Sequence, residues 1–360
     1  MDSGLEGVVV AETVLSHSDG ARGLLWLRGH RLEEVVAEYG YEGAVALLWE
    51  GFAGDGLSRA ALRTALGEAR RAAFARRDEW LPAAASRPLV AGVRMALEFL
   101  PEDSAPAMIL GALPVAVAAL LRRQRGAAPL PPDPAQGTAA DLLRMIRGAP
   151  APAATAEALD TYFAAVLENG LNTSAFAARI IASSGASLLA AVIGAYCAFS
   201  GPRHGGAPGP TLDMLDEIAA SGDIDGWIEK RLAAGERLMG FGHRVFRHGD
   251  PRAAALKAAL ERLGPEIGPG AGRLAVAAEV ERRVKSAFAR LKPGRPVLEP
   301  NVEINAALLL DAVEIPRAAF TPVFAVARCA GWLAHAMEQQ KTGRLIRPIS
   351  AYIGPRPDGA

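Results

Sequence analysis

Apolar residues recur at helical spacing along most of the chain. Leu32, Val35, Val36 and Tyr39 mark one helix, and a second short one continues over Ala44 to Phe52. A longer helix follows Ser58, a side chain suited to cap it, and runs to about Trp80 with arginines on its outer face. Further helices are expected near Pro88 to Leu100, Ala105 to Arg123 and Thr155 to Leu167. Thr173 to Ser184 and Ala186 to Phe199 are apolar nearly all round, which predicts burial on every side, in a large core or at a subunit interface. More ordinary amphipathic patterns cover Thr211 to Ala220, Ile224 to Ala234, Ala253 to Leu263 and Leu274 to Leu291. Another helix begins at Asn301, and the last runs from about Pro316 to Gln340. Only Val8 to Leu15 and Gly23 to Arg28 read as strands, joined through Ser18-Asp19-Gly20 into a short N-terminal hairpin. Loops are marked by the prolines of Gly126 to Gly137, by Pro150-Ala-Pro152, by Ser200 to Gly209 with its His204, and by Pro293-Gly-Arg-Pro296.

Composition sharpens this to an all-α class. Aromatic residues make up 6% of the chain and Ala, Leu, Arg and Glu are abundant, a balance that favours helices over sheets. With 360 residues there is room for two domains and a large core. Lys plus Arg and Asp plus Glu are equal at 39 each, so no overall field draws the chain to nucleic acid or to an acidic membrane. The two cysteines, Cys197 and Cys329, have no metal-ligand spacing, and a reducing cytoplasm suits them. Met1 to Gly7 has no apolar run of the kind a secretory signal needs. Ala105 to Leu121 is uncharged but broken by Pro106, Gly111 and Pro114, and reads as a buried helix of the core.

The chemistry is concentrated between Gly240 and Arg252, which holds two histidines, three arginines, an aspartate and three glycines in thirteen positions. Glycines on either side of Phe241 allow a sharp turn that presents His243 at a cleft. Asp250-Pro251 reads as an N-cap followed by the first helical position, which places Arg252 in the first turn. An imidazole beside guanidinium groups suits an anionic substrate whose carbonyl must be polarised or protonated. The third glycine of a dinucleotide-binding loop is missing, so that reading fails.

Gly-x-Gly-His followed by Asp-Pro-Arg resembles the signature of the citrate synthase family, and five further stretches resemble it too. These are Gly4 to Thr13, Asn172 to Arg179, Gly201 to Ala207, Asn301-Val-Glu303, and Arg328 with Gly331-Trp332 and His335, continued by Arg347-Pro348 in the tail. The resemblance implies a large helical domain over 1–204 and 309–360, a smaller mobile domain over 205–308, and a homodimer or a multiple of one. It implies condensation of acetyl-CoA, or another short acyl-CoA, with oxaloacetate. Removing a carbon-bound proton beside a thioester needs a carboxylate base and a donor at the thioester oxygen. The resemblance gives those roles to Glu303 and His204, and makes His243 the acid at the ketone. Arg252, Arg328 and, from a neighbouring subunit, Arg347 would hold the carboxylates of oxaloacetate, and Arg247 a phosphate of CoA. Coenzyme A enters as a thioester substrate, and no metal or other cofactor is implied. Taken singly, His204 also reads as a loop histidine and Glu303 as a complement to a helix dipole, whereas a guanidinium among apolar residues, as at Arg328, calls for a partner. His335 and His248 are expected to be structural or surface residues, and His17 and His30 surface ones.

Two positions depart from the family pattern. Glu303 stands where an aspartate is usual, and Asn169 stands where relatives carry a histidine aligned with the substrate carbonyl. Asn169 donates a hydrogen bond but carries no charge. Lesser departures are Arg203 and Pro208 around the loop histidine. Three readings follow: citrate synthesis from acetyl-CoA, 2-methylcitrate synthesis from propionyl-CoA, and a weakly active or inactive paralogue with a regulatory or partner-subunit role.

Overall fold

The structure, a computed structural model, describes residues 4–5, 7–206, 208–242, 246, 249–264, 271–291 and 298–355. It opens on a small antiparallel sheet, β1 (Ser16–Asp19), β2 (Leu24–Leu27) and β3 (His30–Arg31), in the order 1-2-3. The expected hairpin is therefore a three-stranded sheet, and its first strand lies later than Val8 to Leu15. Arg28 (φ 51°) and Gly29 (φ 88°) both enter the left-handed region, which closes the second tight turn and pairs Leu27 with His30.

After the sheet, the regular elements among the described residues are helices, apart from one isolated bridge. Helix α1 (Leu32–Glu34) passes through a π turn at Val35–Tyr39 into α2 (Gly40–Trp49), in place of two separate helices. Ser58 caps α3 (Arg59–Ala75) by accepting the N–H of Ala61. The chain bends at Arg76 into α4 (Arg77–Ala84), so the single helix expected to run to Trp80 is two, and the bend buries Trp80 and Leu81. There follow α5 (Leu89–Glu98), α6 (Pro106–Gln124), α7 (Thr138–Arg147) and α8 (Ala153–Val166). Helix α7 was not anticipated from the periodicity. Its Asp141 is fully buried against Arg70 of α3 at 2.8 Å, so Arg70 is an inward-facing arginine where an outer one was expected. Thr138 and the carbonyl of Gln136 complete the partners of that guanidinium, as a buried charge requires. Helix α6 is long and apolar enough to cross a membrane by composition, but 72% of that stretch is buried in the bundle.

Two further pairs are α9 (Thr173–Ser183) with α10 (Leu188–Phe199), and α11 (Pro208–Ser221) with α12 (Ile224–Ala233). The first pair is not buried all round, since Ile180 is 42% exposed and Cys197 is also exposed. Helix α11 starts at Pro208, inside the expected loop. The chain ends with α13 (Pro251–Leu263), α14 (Ala271–Leu291), α15 (Val302–Ala312) and α16 (Phe320–Thr342), then an extended tail. Helix α16 is the axis of the core. Tyr41 and Trp49 of α2 donate to its carbonyls at Val326 and Ala330, both at 2.9 Å. Helix α13 packs on α8 on one side and α15 on the other, which brings the Asp-Pro-Arg segment up to the central bundle.

Candidate active site

A cleft of about 990 Å³ opens between α9, α15, α16 and the loop that follows α10. Asn169, His204, Arg252, Glu303 and Arg328, five residues singled out from the sequence, line it together. His243 and Arg247 lie outside the described residues. Arg347 sits exposed in the extended tail and does not line this cleft.

Local hydrogen bonding explains how two distant segments meet at Glu303. Gly240 (φ 78°) and Gly242 (φ 76°) take conformations that residues with a Cβ rarely adopt, and a Cβ at Gly240 would sit 3.0 Å from both Ile304 and Thr211. Phe241 between them forms an antiparallel bridge to Pro300. Asn301 then ties the two segments together: its N–H donates to the carbonyl of Gly240 at 2.9 Å and its Nδ2 to that of Gly242 at 2.9 Å. Its Oδ1 accepts the N–H of Glu303 at 2.8 Å, which caps α15. Burial raises the Glu303 carboxyl above its ordinary pKa, against the opposing pull of Arg237, Asn301, Arg252 and the Gly240 amide. Its buried Oε2 has no partner among the described residues. A carboxylate held in this way is a stronger base than one in water.

His204 faces the same cleft from a tight turn whose N–H groups donate back to Gly201 and Phe199. Its ring stands edge-on to Phe199 at 5.0 Å, and its Nε2 lies 2.8 Å from Ser174 Oγ. Ser174 Oγ accepts the indole N–H of Trp332 at 2.9 Å and also lies 2.8 Å from Asn172 Oδ1. It has one proton to place. Asn172 Oδ1 already accepts two backbone N–H groups, from Ser174 and Ala175, both at 3.2 Å. That proton is within reach of both the Asn172 carboxamide oxygen and the ring, and the donor and acceptor roles at the Ser174–His204 contact follow the ring's tautomer. Burial and the nearby Arg328 push the pKa of His204 down to about 4, which keeps the ring neutral at pH 7. A neutral imidazole with a free N–H is a hydrogen-bond donor that does not surrender a full proton.

The cations are built in. Arg252 is buried and grips its own N-cap, with Nε 3.0 Å from Asp250 Oδ1 and Nη2 2.7 Å from Oδ2. Arg328 donates from Nε to the carbonyl of Val166 at 2.8 Å and lies over the ring of Phe324. Burial lowers its pKa to about 10, so it remains charged at neutral pH. Arg203, noted only as a departure, and Arg237, not singled out at all, add two more guanidiniums to the cleft wall. Among the described residues no cluster of three or more His, Cys, Asp and Glu side chains is set to hold a metal ion.

The family profile described as "Citrate synthase, C-terminal domain" matches residues 4–349. The chain belongs to the citrate synthase family. It is 38% identical over 365 residues to the "Putative citrate synthase 2" of Mycobacterium tuberculosis, across 98% of this chain and 93% of that one. It is 33% identical over 366 residues to the "2-methylcitrate synthase" of the same organism, across 98% and 90% of the two chains. The crystal structure of citrate synthase from Thermotoga maritima superposes with a TM-score of 0.86 at 27% identity, covering 100% of this chain and 98% of that one. As a member of the citrate synthase family the protein is an acyltransferase of the class that turns the acyl group into an alkyl group on transfer. Its all-α architecture is that of the family.

Ser174, Trp332 and Asn301 each lie within stretches that resemble the family, and the sequence alone assigns them no role. Their functions are hydrogen bonds across 158 positions, for Trp332 to Ser174, and 59, for Asn301 to Gly242. No periodicity reaches that far.

Proposed function

We propose that this citrate synthase family member condenses acetyl-CoA with oxaloacetate and hydrolyses the thioester formed, releasing citrate and CoA. Glu303 takes a proton from the acyl methyl group, and His204 Nδ1–H holds the thioester oxygen as negative charge develops there. The new carbon nucleophile attacks the ketone carbon of oxaloacetate, His243 protonates the ketone oxygen, and water then cleaves the citryl thioester. Asn169 contacts the keto acid, Arg252 and Arg328 pair with its carboxylates, and Arg347 of a neighbouring subunit completes that set. Arg247 takes a CoA phosphate. Coenzyme A is then a substrate moiety and no further cofactor acts. The observation that carries this reading is the meeting, in one cleft, of a carboxyl with a raised pKa, a neutral, serine-held imidazole and two buried arginines.

Residues 205–308 serve in this reading as the small domain that closes over the substrates, with 1–204 and 309–360 as the large one. The working unit is a homodimer or a multiple of it. Support comes from the exposed face of α9 and α10 and from a tail whose Ile349 and Ile353 are 99% and 97% exposed, an apolar surface that a second copy would cover.

A second reading uses propionyl-CoA and gives 2-methylcitrate. It is favoured by the 33% identity to a relative of that name and by the changed wall at Asn169 and Glu303. Thiol release by the purified protein, with oxaloacetate and either acyl-CoA, separates the two. Faster turnover with acetyl-CoA supports the first reading and faster turnover with propionyl-CoA the second. No thiol release with either would leave the weakly active or partner-subunit role.

A further inference from the structure

Asn169 owes its place to contacts made by its two neighbours in the chain. Glu168 is fully buried, and its Oε1 accepts a hydrogen bond from Ser16 Oγ of β1 at 3.0 Å. The same Ser16 Oγ accepts the N–H of Gly170 at 3.0 Å. One hydroxyl therefore grips the residue before Asn169 by its side chain and the residue after it by its backbone, using its single proton and one lone pair. Gly170 has φ 63°, a conformation that suits glycine and turns the chain back toward the sheet.

The other side of the segment is stitched to α16. His335 Nε2 lies 3.1 Å from Glu168 Oε1, and Arg179 Nε donates to His335 Nδ1 at 2.9 Å. That donation occupies Nδ1 as an acceptor, so Nε2 is the nitrogen that bears the proton and donates to Glu168. Arg179 also pairs with Glu338, which accepts from Thr13 Oγ1 and from the N–H of Val14, both at 2.8 Å. The ring of contacts thus closes on the segment that carries Ser16. None of these groups touches the cleft directly.

We propose that Ser16 is a positioning residue for substrate binding: through Glu168 and Gly170 it holds Asn169 against the keto acid, and so couples the N-terminal sheet to the site. The inference rests on the reading of Asn169 as a contact to the keto acid. It places a determinant of oxaloacetate affinity on a strand distant in sequence from every catalytic motif.

The test compares Ser16→Ala and Ser16→Thr with the full-length protein. Hydrogen exchange over residues 166–172, measured without substrate, reads the clamp whatever the substrate proves to be. It should speed up in Ser16→Ala and return toward the parent in Ser16→Thr, which keeps the hydroxyl. In steady-state assays Ser16→Ala should raise KM for oxaloacetate about tenfold while KM for the acyl-CoA stays within about twofold, the kind of loss expected when a positioned group drifts by a fraction of an ångström. In an Asn169→Ala background the same change should add nothing further to KM for oxaloacetate. Unchanged exchange overturns the proposal, as does a rise of both KM values in step with a fall in Tm, or a full additional effect in the Asn169→Ala background. Faster exchange in a protein that turns over neither acyl-CoA would leave the clamp standing and overturn the functional reading instead.

Discussion

Glu303 is one methylene longer than the aspartate usual at its position, yet it is half-buried, raised in pKa and left with one oxygen that has no partner among the described residues. Such a group is set for proton transfer at the expense of stability. Its folded pKa lies above its unfolded one, so its contribution is full below the unfolded pKa and is lost as pH rises through the folded one. Glu303→Gln should therefore abolish turnover, keep oxaloacetate affinity by calorimetry, and raise Tm at pH 7 by roughly 1–4 °C. Retained turnover would remove Glu303 from the role of base. Glu303→Asp should be slower than the parent, because the carboxylate would draw back by about one methylene and fall short of the methyl group. His204 has the opposite sign of shift, from 6.5 to about 4. Its contribution is present above pH 6.5 and lost as pH falls toward 4, when the unfolded chain takes up a proton that the folded one refuses. Melting curves across that range should show a smaller acid loss in His204→Asn than in the parent, and equal losses would contradict the buried, neutral assignment.

At the scale of elements, the decisive feature is how closely α16 approaches the segment after α8. Arg328, Gly331 and His335 lie on one face of α16, and Gly331 is the point of contact. A Cβ there would stand 2.5 Å from the carbonyl of Leu167 and 2.5 Å from Glu168 Oε2. Gly to Ala within a helix ordinarily gains roughly 0.5–1 kcal/mol. Here the contact is with backbone, which cannot rotate away, so Gly331→Ala should instead lose about 1–3 kcal/mol in denaturant unfolding. A gain in stability would show that α16 can shift without penalty. The helix periodicity identified α16 and the family resemblance took in Gly331, but neither shows that this glycine is where the helix meets the backbone of Leu167.

For the whole molecule, the proposed sharing of Arg347 makes a specific demand on assembly. Arg347→Ala and His243→Ala proteins should each be inactive, and a mixture that exchanges subunits should recover part of the parent activity. In a mixed dimer one site carries both defects and the other carries neither. Exchange proven by labelled subunits with no recovery would mean that each chain completes its own site. The same arrangement predicts that the protein sediments as a dimer or larger, with the exposed apolar tail covered.

The sequence by itself determined the all-α class, the positions of most helices, and the candidate residues His204, Arg252, Glu303 and Arg328. These depend on local periodicity, on caps such as Ser58 and Asp250, and on short motifs whose spacing is carried along the chain. Tertiary structure alone decided what those residues can do. The neutral state of His204 comes from burial and Arg328, and its Nε2 is held by Ser174, which Trp332 holds in turn. Arg70 turned inward because Asp141 met it there, and Asn169 is set by a serine 153 positions away. Propensity and spacing act over a few residues, whereas desolvation and hydrogen-bond pairing depend on which groups the closed fold brings within about 3 Å of one another.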